Sequence, residues 1–432
     1  MHDVLDTRDL VPDEAEQLLH SGYPVAALLA EARSAAADAD YGRLEEISAR
    51  LAAAPLDPTW AFAEPDDRDT LESILAGLPE HEVDRAALPD RVHGAWLGRC
   101  VANTMGKPVE GLARDEVRRY LTAAGQWPQT GYLPLLSVLP EGVSHLHESA
   151  PFSTTGSFDD VPRDDDLDWT ILALAMLEEQ GGELTTAAVA RSWLDRLPFT
   201  QTFTAERAAY RNLVRGVPAE RAALVENPYR EWIGALIRAD VHGYVHPGRP
   251  GRAARSALAD ARLSHTGNGV FGAVWAAALV SAALTADTAR GALEIAVRAI
   301  PSSSRLALAL SGVLQLQVSG HTAEEALGWV DQTLGHYNWV HTVNNAALIS
   351  VGLLWGTDFT SSVALTISGG RDTDSTAATV GSVFGALHGK DSIPEALVGT
   401  THVRVRSAVR DFDRVPIAEL ARRTLALEEA LR

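Results

Sequence analysis

Two short acidic stretches hold the side chains best suited to chemistry. Asp372-Thr373-Asp374-Ser375 places two carboxylates and a hydroxyl within four residues, directly behind Gly369-Gly370. Asp164-Asp165-Asp166-Leu167-Asp168 lies about two hundred residues earlier. Each opens a segment with helical patterning. Successive carboxylates in mid-helix point in different directions and cannot face one ion. In the loop before a helix and in its first turn they can converge, and the helix end favours their ionised form. A plain N-cap accounts for either stretch taken alone. Three acids in a row exceed what a cap needs, and the glycine pair gives the second stretch freedom to wrap closely. Where two such stretches meet, the simplest neutralising partner is divalent metal on hard oxygen ligands.

Three further segments carry candidate groups. Gly98 to Gly111 ends in Gly106-Lys107-Pro108-Val109-Glu110-Gly111, and Glu110 follows its Gly-Lys-Pro turn. Ser264-His265-Thr266-Gly267-Asn268-Gly269 is a small polar loop entering an apolar helix, with backbone amides suited to a phosphate or ribose. A capped helix with turn glycines accounts for the same residues. Trp339-Val340-His341-Thr342-Val343-Asn344-Asn345 offers an aromatic ring, an imidazole and two amides for a ribosyl or base group. Singly, such residues serve more often as core or caps.

The elements that must position these groups are helices. Glu14 to Ala36, Tyr41 to Ala54, Arg91 to Thr104, Trp169 to Glu179, Leu184 to Leu197 and Arg252 to Leu263 show apolar residues at helical spacing. So do Val270 to Ala286, Ala289 to Ala299, Ser304 to Val318, Ala323 to Leu334, Asn344 to Leu354 and Asp374 to Leu387. Pro416 to Leu431 reads as a closing, solvent-facing helix with its proline in the first turn. Alternating strand patterns are almost absent. The expected fold is an all-α globular bundle, with residues 1–86 as a small helical extension and 87–432 as the main body. The irregular stretch from Gln126 to Phe158 is long for a loop, and long loops that lead into an acidic cluster favour function.

Composition narrows the partners. The chain has 37 basic and 57 acidic residues, a formal charge of −20. That balance, with no basic stripe, excludes a nucleic-acid polymer. An apolar content of 46% and a mean hydropathy of −0.03 are those of a globular chain. One cysteine, Cys100, excludes an internal disulfide framework and a cysteine-rich zinc site. Met1 to Asp6 does not begin a signal peptide, and the uncharged run Val270 to Ala286 is short for a membrane span and suits a buried helix. The expectation is a cytoplasmic protein with no membrane partner.

Taken in order, the blocks ending at Glu110, at Asp164-Asp165-Asp166 and at Asp372-Thr373-Asp374-Ser375 resemble the signature blocks of the ADP-ribosylglycohydrolase family. This is the group related to the dinitrogenase reductase-activating glycohydrolase. The resemblance spans about Arg91 to Gly389 and leaves the extension and the last forty residues outside it. It implies an all-α fold with two divalent cations, Mg2+ or Mn2+. It makes Asp165, Asp166, Asp372, Asp374 and Ser375 metal ligands. Asp164 stands where the family usually has threonine and adds a charge among those ligands. Glu110, with Asp165 and Asp166, becomes the catalytic set, and Glu110 the residue that moves a proton or positions water; Asp164 and Asp168 follow it. Asn103 takes the place of a common aspartate. Asn103, His265, Gly267, Asn268, Gly269, His341, Asn344 and Asn345 become the substrate-binding set. Leu167 replaces a usual threonine, and Arg371 intervenes between the glycines and the acid pair.

The implied activity is metal-dependent hydrolysis of a ribosyl bond to nitrogen or oxygen, removing ADP-ribose from a modified substrate. The substituted ligands leave room for two alternatives. One is an N-ribosyl hydrolase acting on a small nucleotide-like metabolite in a specialised pathway. The other is a protein that binds ADP-ribose without cleaving it.

Overall fold

The computed structural model describes residues 5–181 and 184–432. The first four residues of the expected extension lie outside that range. The fold is all-α. Among the described residues, strand is limited to Arg404–Val405 paired antiparallel with Val415–Pro416. No helix of the described residues is long and apolar enough to cross a membrane. Gly267–Ala283, the most apolar helix, is buried along nearly its whole length.

Two helices form the axis. Leu88–Gly106 and Thr373–His388 pack backbone to backbone through facing glycines. A Cβ on Gly98 would come within 2.2 Å of the Gly381 carbonyl oxygen, and one on Gly385 within 2.0 Å of that of Gly94. At the end of the contact a Cβ on Gly106 would meet the Thr373 carbonyl oxygen at 2.3 Å. No side chain larger than hydrogen fits at these positions. The axis therefore delivers the ends of two sequence-distant segments to one place.

The closing helix, Ile417–Ala430, is not the solvent-facing element its charge suggests. It buries Ile417, Leu420, Ala421 and Leu427, and its Thr424 hydroxyl accepts from the buried Trp96 indole at 3.0 Å. Pro416 precedes the first turn as its cap residue. Its other charged residues face away while Glu428 is buried and paired with Arg85 and Arg432, so the amphipathic stripe outweighs the overall polarity.

The run Glu14 to Ala36 is also two helices, Thr7–His20 and Ala26–Ala37. Gly22, at φ +89°, and Pro24 break it. Four helices of nine residues or more lie outside the segments whose patterning reads as helical: Arg68–Ala76, Arg114–Ala123, Thr204–Val214 and Phe359–Ser368. The last is rich in Thr and Ser, poor helix formers. It is started by Asp358, whose carboxylate accepts from Ser361 N at 2.8 Å, and is held by burial of Phe359, Val363 and Ile367.

Thr7–His20, Ala26–Ala37 and Tyr41–Ala52 share a small core of their own, including Leu18, Leu29, Leu44 and Ile47. The main core takes in Leu71 and Leu75 from the segment read as extension. Polar bonds dock the three-helix unit on the body. Glu14 pairs with Arg230 at 2.6 Å, and Asp13 accepts from the Tyr229 hydroxyl at 3.0 Å.

Candidate active site

Each acidic stretch sits where a helix begins. Asp164 is the N-cap of Asp165–Gln180, and its Oδ1 accepts from Asp166 N at 3.0 Å. Asp372 precedes Thr373–His388. The turn before it uses positive φ at Gly370 (+69°) and Arg371 (+69°). A Cβ on Gly370 would meet Leu112 O at 2.6 Å, so the loop can close only on glycine. Arg371 N donates to Leu112 O at 2.8 Å, and Gly111 N donates to Arg371 O at 2.9 Å. This exchange lays Glu110 beside Asp372. The Arg371 guanidinium turns outward to Asp331, at 2.7 Å, and takes no part in the cluster.

The two stretches meet. Ser375 Oγ donates to Asp166 Oδ1 at 3.1 Å. Glu110, Asp372 and Asp374 form one set of carboxylates close enough to hold a single cation. Asp164, Asp166 and Asp374 form a second, and Asp374 belongs to both. Asn103 Nδ2 donates to Asp164 Oδ1 at 3.1 Å and Asp166 Oδ2 at 3.0 Å. It orients carboxylates that a common aspartate in its place would repel. Asp168 faces the other way, held by Arg163 and by the Ser407 hydroxyl at 2.7 Å.

One cation already touches the cluster. Lys107 Nζ lies 2.7 Å from each of Glu110 Oε2, Asp164 Oδ2 and Asp374 Oδ2. Burial acts to lower this ammonium, but Asp164, Asp374 and Glu110 push it well above its usual value. Burial also acts to raise Asp164, yet Lys107 holds it below the ordinary carboxylate range. The others go up. Burial and the Asp374 charge lift Glu110 to about 8 against the pull of Lys107. Burial and Asp164 lift Asp165 to about 7. Burial with neighbouring carboxylates pushes Asp166 and Asp372 well above their usual values. Carboxylates raised by one another mark a place short of positive charge.

The donor set fits a hard divalent cation. It is all oxygen, it is drawn from two helix starts, and Asp374 Oδ1 is buried with no hydrogen-bond partner.

The cluster borders a cavity of about 480 Å³ whose wall includes Trp339, Trp232, Phe203 and His147. His147 Nδ1 lies 3.1 Å from Glu110 Oε2. A second cavity of about 440 Å³ opens on the far side of Lys107 and Asp164, towards Phe158, Arg406 and Arg414. The Gln126 to Phe158 loop supplies Ser149 to both.

The sequence profile of ADP-ribosylglycohydrolases matches residues 84–431. The chain belongs to the ADP-ribosylglycohydrolase family. The match takes in the last forty residues, which the signature blocks alone leave out. No curated relative matches. A solved structure described as an ADP-ribosylglycohydrolase-related protein complex is similar at 21% identity and a TM-score of 0.47, over 80% of this chain and 100% of that one. As a member of this family, the chain is a hydrolase.

The expected substrate-binding residues divide. Asn103 stands at the carboxylates. Asn345 donates to Trp339 O at 2.8 Å and accepts from Asp372 N, and Asn344 donates to Asn338 O at 3.0 Å. They hold the Trp339 loop and the second acidic stretch in place. His341 lies beneath them, stacked on Tyr337 and capping Thr342–Trp355 through Val343 N.

His265, Gly267, Asn268 and Gly269 do not line the cavity over the cluster. Gly267 N donates to Asp66 at 3.0 Å and Asn268 N to Glu231 at 3.0 Å, so the amides suited to phosphate already hold carboxylates. His265 is buried against Ser264, and Gly269 is where the Arg230 carbonyl comes close.

Lys107, His147, Phe203 and Trp232 were not singled out by the sequence. Lys107 carried a usable signal, since Lys-x-x-Glu in a tight turn places both side chains on one side. His147, Phe203 and Trp232 sit in irregular or unrelated segments and carried none.

Proposed function

We propose that this chain is a divalent-cation-dependent hydrolase that cleaves a ribosyl N- or O-glycosidic bond and releases ADP-ribose from a modified substrate. The observation that supports this most is the shared Asp374, whose buried, bare Oδ1 joins two carboxylate sets at the floor of an aromatic-walled cavity. Asp164, Asp165, Asp166, Asp372, Asp374 and Ser375 are the groups that would hold the cation, and all-oxygen donors suit Mg2+ or Mn2+. When bound, such a cation supplies Lewis acidity, a more acidic water and a grip on vicinal hydroxyls.

The remaining chemistry falls to side chains. Glu110, pushed up to about 8 by burial and the Asp374 charge, can take up and release a proton near neutral pH, as a general acid or base requires. His147, kept below its usual value by burial and by Lys107, is neutral and offers Nδ1 as the next stop for that proton. Asn103 and Ser375 fix the carboxylates so that none needs to reorganise. Trp339, on the cavity wall and partly exposed, presents a face for a flat base or leaving group.

A second reading has its own support. The amides of the 264–269 loop are taken by Asp66 and Glu231. A diphosphate would find no backbone anchor there, which favours a smaller ribosylated nucleotide. One assay separates the two. The chain is incubated with Mg2+, with and without chelator, on ADP-ribosyl-arginine and ADP-ribosyl-serine peptides, NAD, nicotinamide mononucleotide and nucleosides. Products are read by mass spectrometry. Chelator-sensitive release of ADP-ribose from peptides is the expected result. Turnover confined to small nucleotides would transfer the activity to the second reading, and no turnover of any substrate would sink both.

A further inference from the structure

Lys107 stands inside the acidic cluster, not at its edge. Its three contacts draw on both carboxylate sets: Glu110 from one, Asp164 from the other, and Asp374 from the overlap. Its nitrogen donates to Asp374 Oδ2 and lies within ion-pair distance of Glu110 Oε2 and Asp164 Oδ2. A divalent ion on the same oxygens would lie about 2.0–2.6 Å from each of them, within contact distance of the lysine nitrogen. The two cations cannot share that space.

The lysine is also held where it is. Its side chain is 8% exposed. The turn Lys107–Val109 puts it on the same side as Glu110, and the Thr373 hydroxyl clamps the preceding Gly106 carbonyl at 2.8 Å. Of the two oxygens on the shared carboxylate, Asp374 Oδ2 accepts from Lys107, and Oδ1 is buried and bare. One bare oxygen on the bridging group leaves one open cation position.

We propose that the Lys107 ammonium is a built-in substitute for one of the two cations implied by the family resemblance, so that this chain binds a single divalent ion. The inference rests on the cation-dependent reading above and adds the number of ions and the residue that sets it.

The test uses Mn2+ alone with the full chain. Bound manganese is counted by equilibrium dialysis and its magnetic state read by electron paramagnetic resonance. The wild type is expected to hold one ion per chain with the spectrum of an isolated ion. Lys107→Met, which keeps the stem and removes the charge, is expected to hold two ions with the spectrum of a coupled pair. Two ions in the wild type would overturn the proposal and leave cation-dependent hydrolysis standing. One ion in both proteins would overturn it too, because removing the ammonium opens no position. No ion in either would remove the cation-dependent reading as well. Lys107→Gln serves as the second uncharged variant if Lys107→Met does not fold, and the wild-type spectrum refutes the proposal by itself if it shows a pair.

Discussion

The molecule buries charge in two places and treats it in opposite ways. Behind the N-terminal helices, Arg305 bonds Glu64 at 2.7 Å and Glu231 at 2.8 Å. Neutral donors complete the set: Gln17 reaches Glu231 at 2.7 Å and Asn268 reaches Glu64 at 2.8 Å. One guanidinium serves both carboxylates, and neutral donors supply what it does not. At the cavity floor, Glu110, Asp164, Asp165, Asp166, Asp372 and Asp374 gather around the single ammonium of Lys107, and a buried oxygen stays bare. A balanced buried cluster costs least when left complete, so it fastens parts together. An unbalanced one stores a demand for something from outside. Acidic content alone does not distinguish a fastening from a site; the unmet charge does.

The sharpest way to break the contrast is to remove one carboxylate from each side. Asp374→Ala should lose about 10³-fold or more in turnover, since several kcal/mol of cation-derived stabilisation go with it. Its stability without metal should be unchanged or higher, as a charge leaves a repelling group. Steady-state kinetics with thermal denaturation would show both, and an active, metal-replete Asp374→Ala would refute the assignment. At the other cluster, Arg305→Ala strands Glu64 and Glu231. It should cost about 3–5 kcal/mol of stability in denaturant titrations. An Arg305→Ala protein as stable as the wild type would mean the cluster is not a fastening. Between these in kind, Asn103→Ala keeps every ligand but frees two of them. Metal affinity by calorimetry should fall about 10–100-fold.

The smallest effect is on pH dependence, where the clusters should move in opposite directions in metal-free protein. Burial and the Asp374 charge push Glu110 up to about 8, above its ordinary 4.5, so the native state binds the extra proton between those values. Stability gains from it as pH falls through that window. His20, beside Arg305, is pushed down to about 4 by burial and neighbouring cations, below 6.5. Its contribution is present above pH 6.5 and lost as pH falls towards 4, on the order of 1 kcal/mol by pH 5. Glu110→Gln should flatten the first trend and His20→Asn the second. Identical pH profiles for wild type and both variants would contradict this account.

What could be read from the sequence followed the range of the interactions. The acidic stretches were legible because each is contiguous and a helix start explains why its members converge. Ala323–Leu334 was legible to the residue because its periodicity and its Thr322 to Glu325 capping box are local. Phe359–Ser368 was not, because burial stabilises it against its own propensities. The 264–269 loop looked open to phosphate because the acid that fills Gly267 N comes from Asp66, 201 residues away. Lys107 looked like a turn residue because Asp374, its partner, lies 267 residues on. Local chemistry showed which groups mattered, and distant chain decided which of them were already spoken for.

The glycine contact between Leu88–Gly106 and Thr373–His388 has one more consequence. The halves of the acidic centre hang from a joint with no side chain in it, so their separation is fixed by main-chain dimensions. Substitution cannot adjust that gap by degrees: the smallest change available at Gly98 or Gly381, a methyl group, already collides with carbonyl oxygen. Variation in what the enzyme accepts must therefore accumulate in the parts that hang free of the joint, the 126–158 loop and the Trp339 loop. The fold divides into a gauge that history cannot reset and a rim that it can.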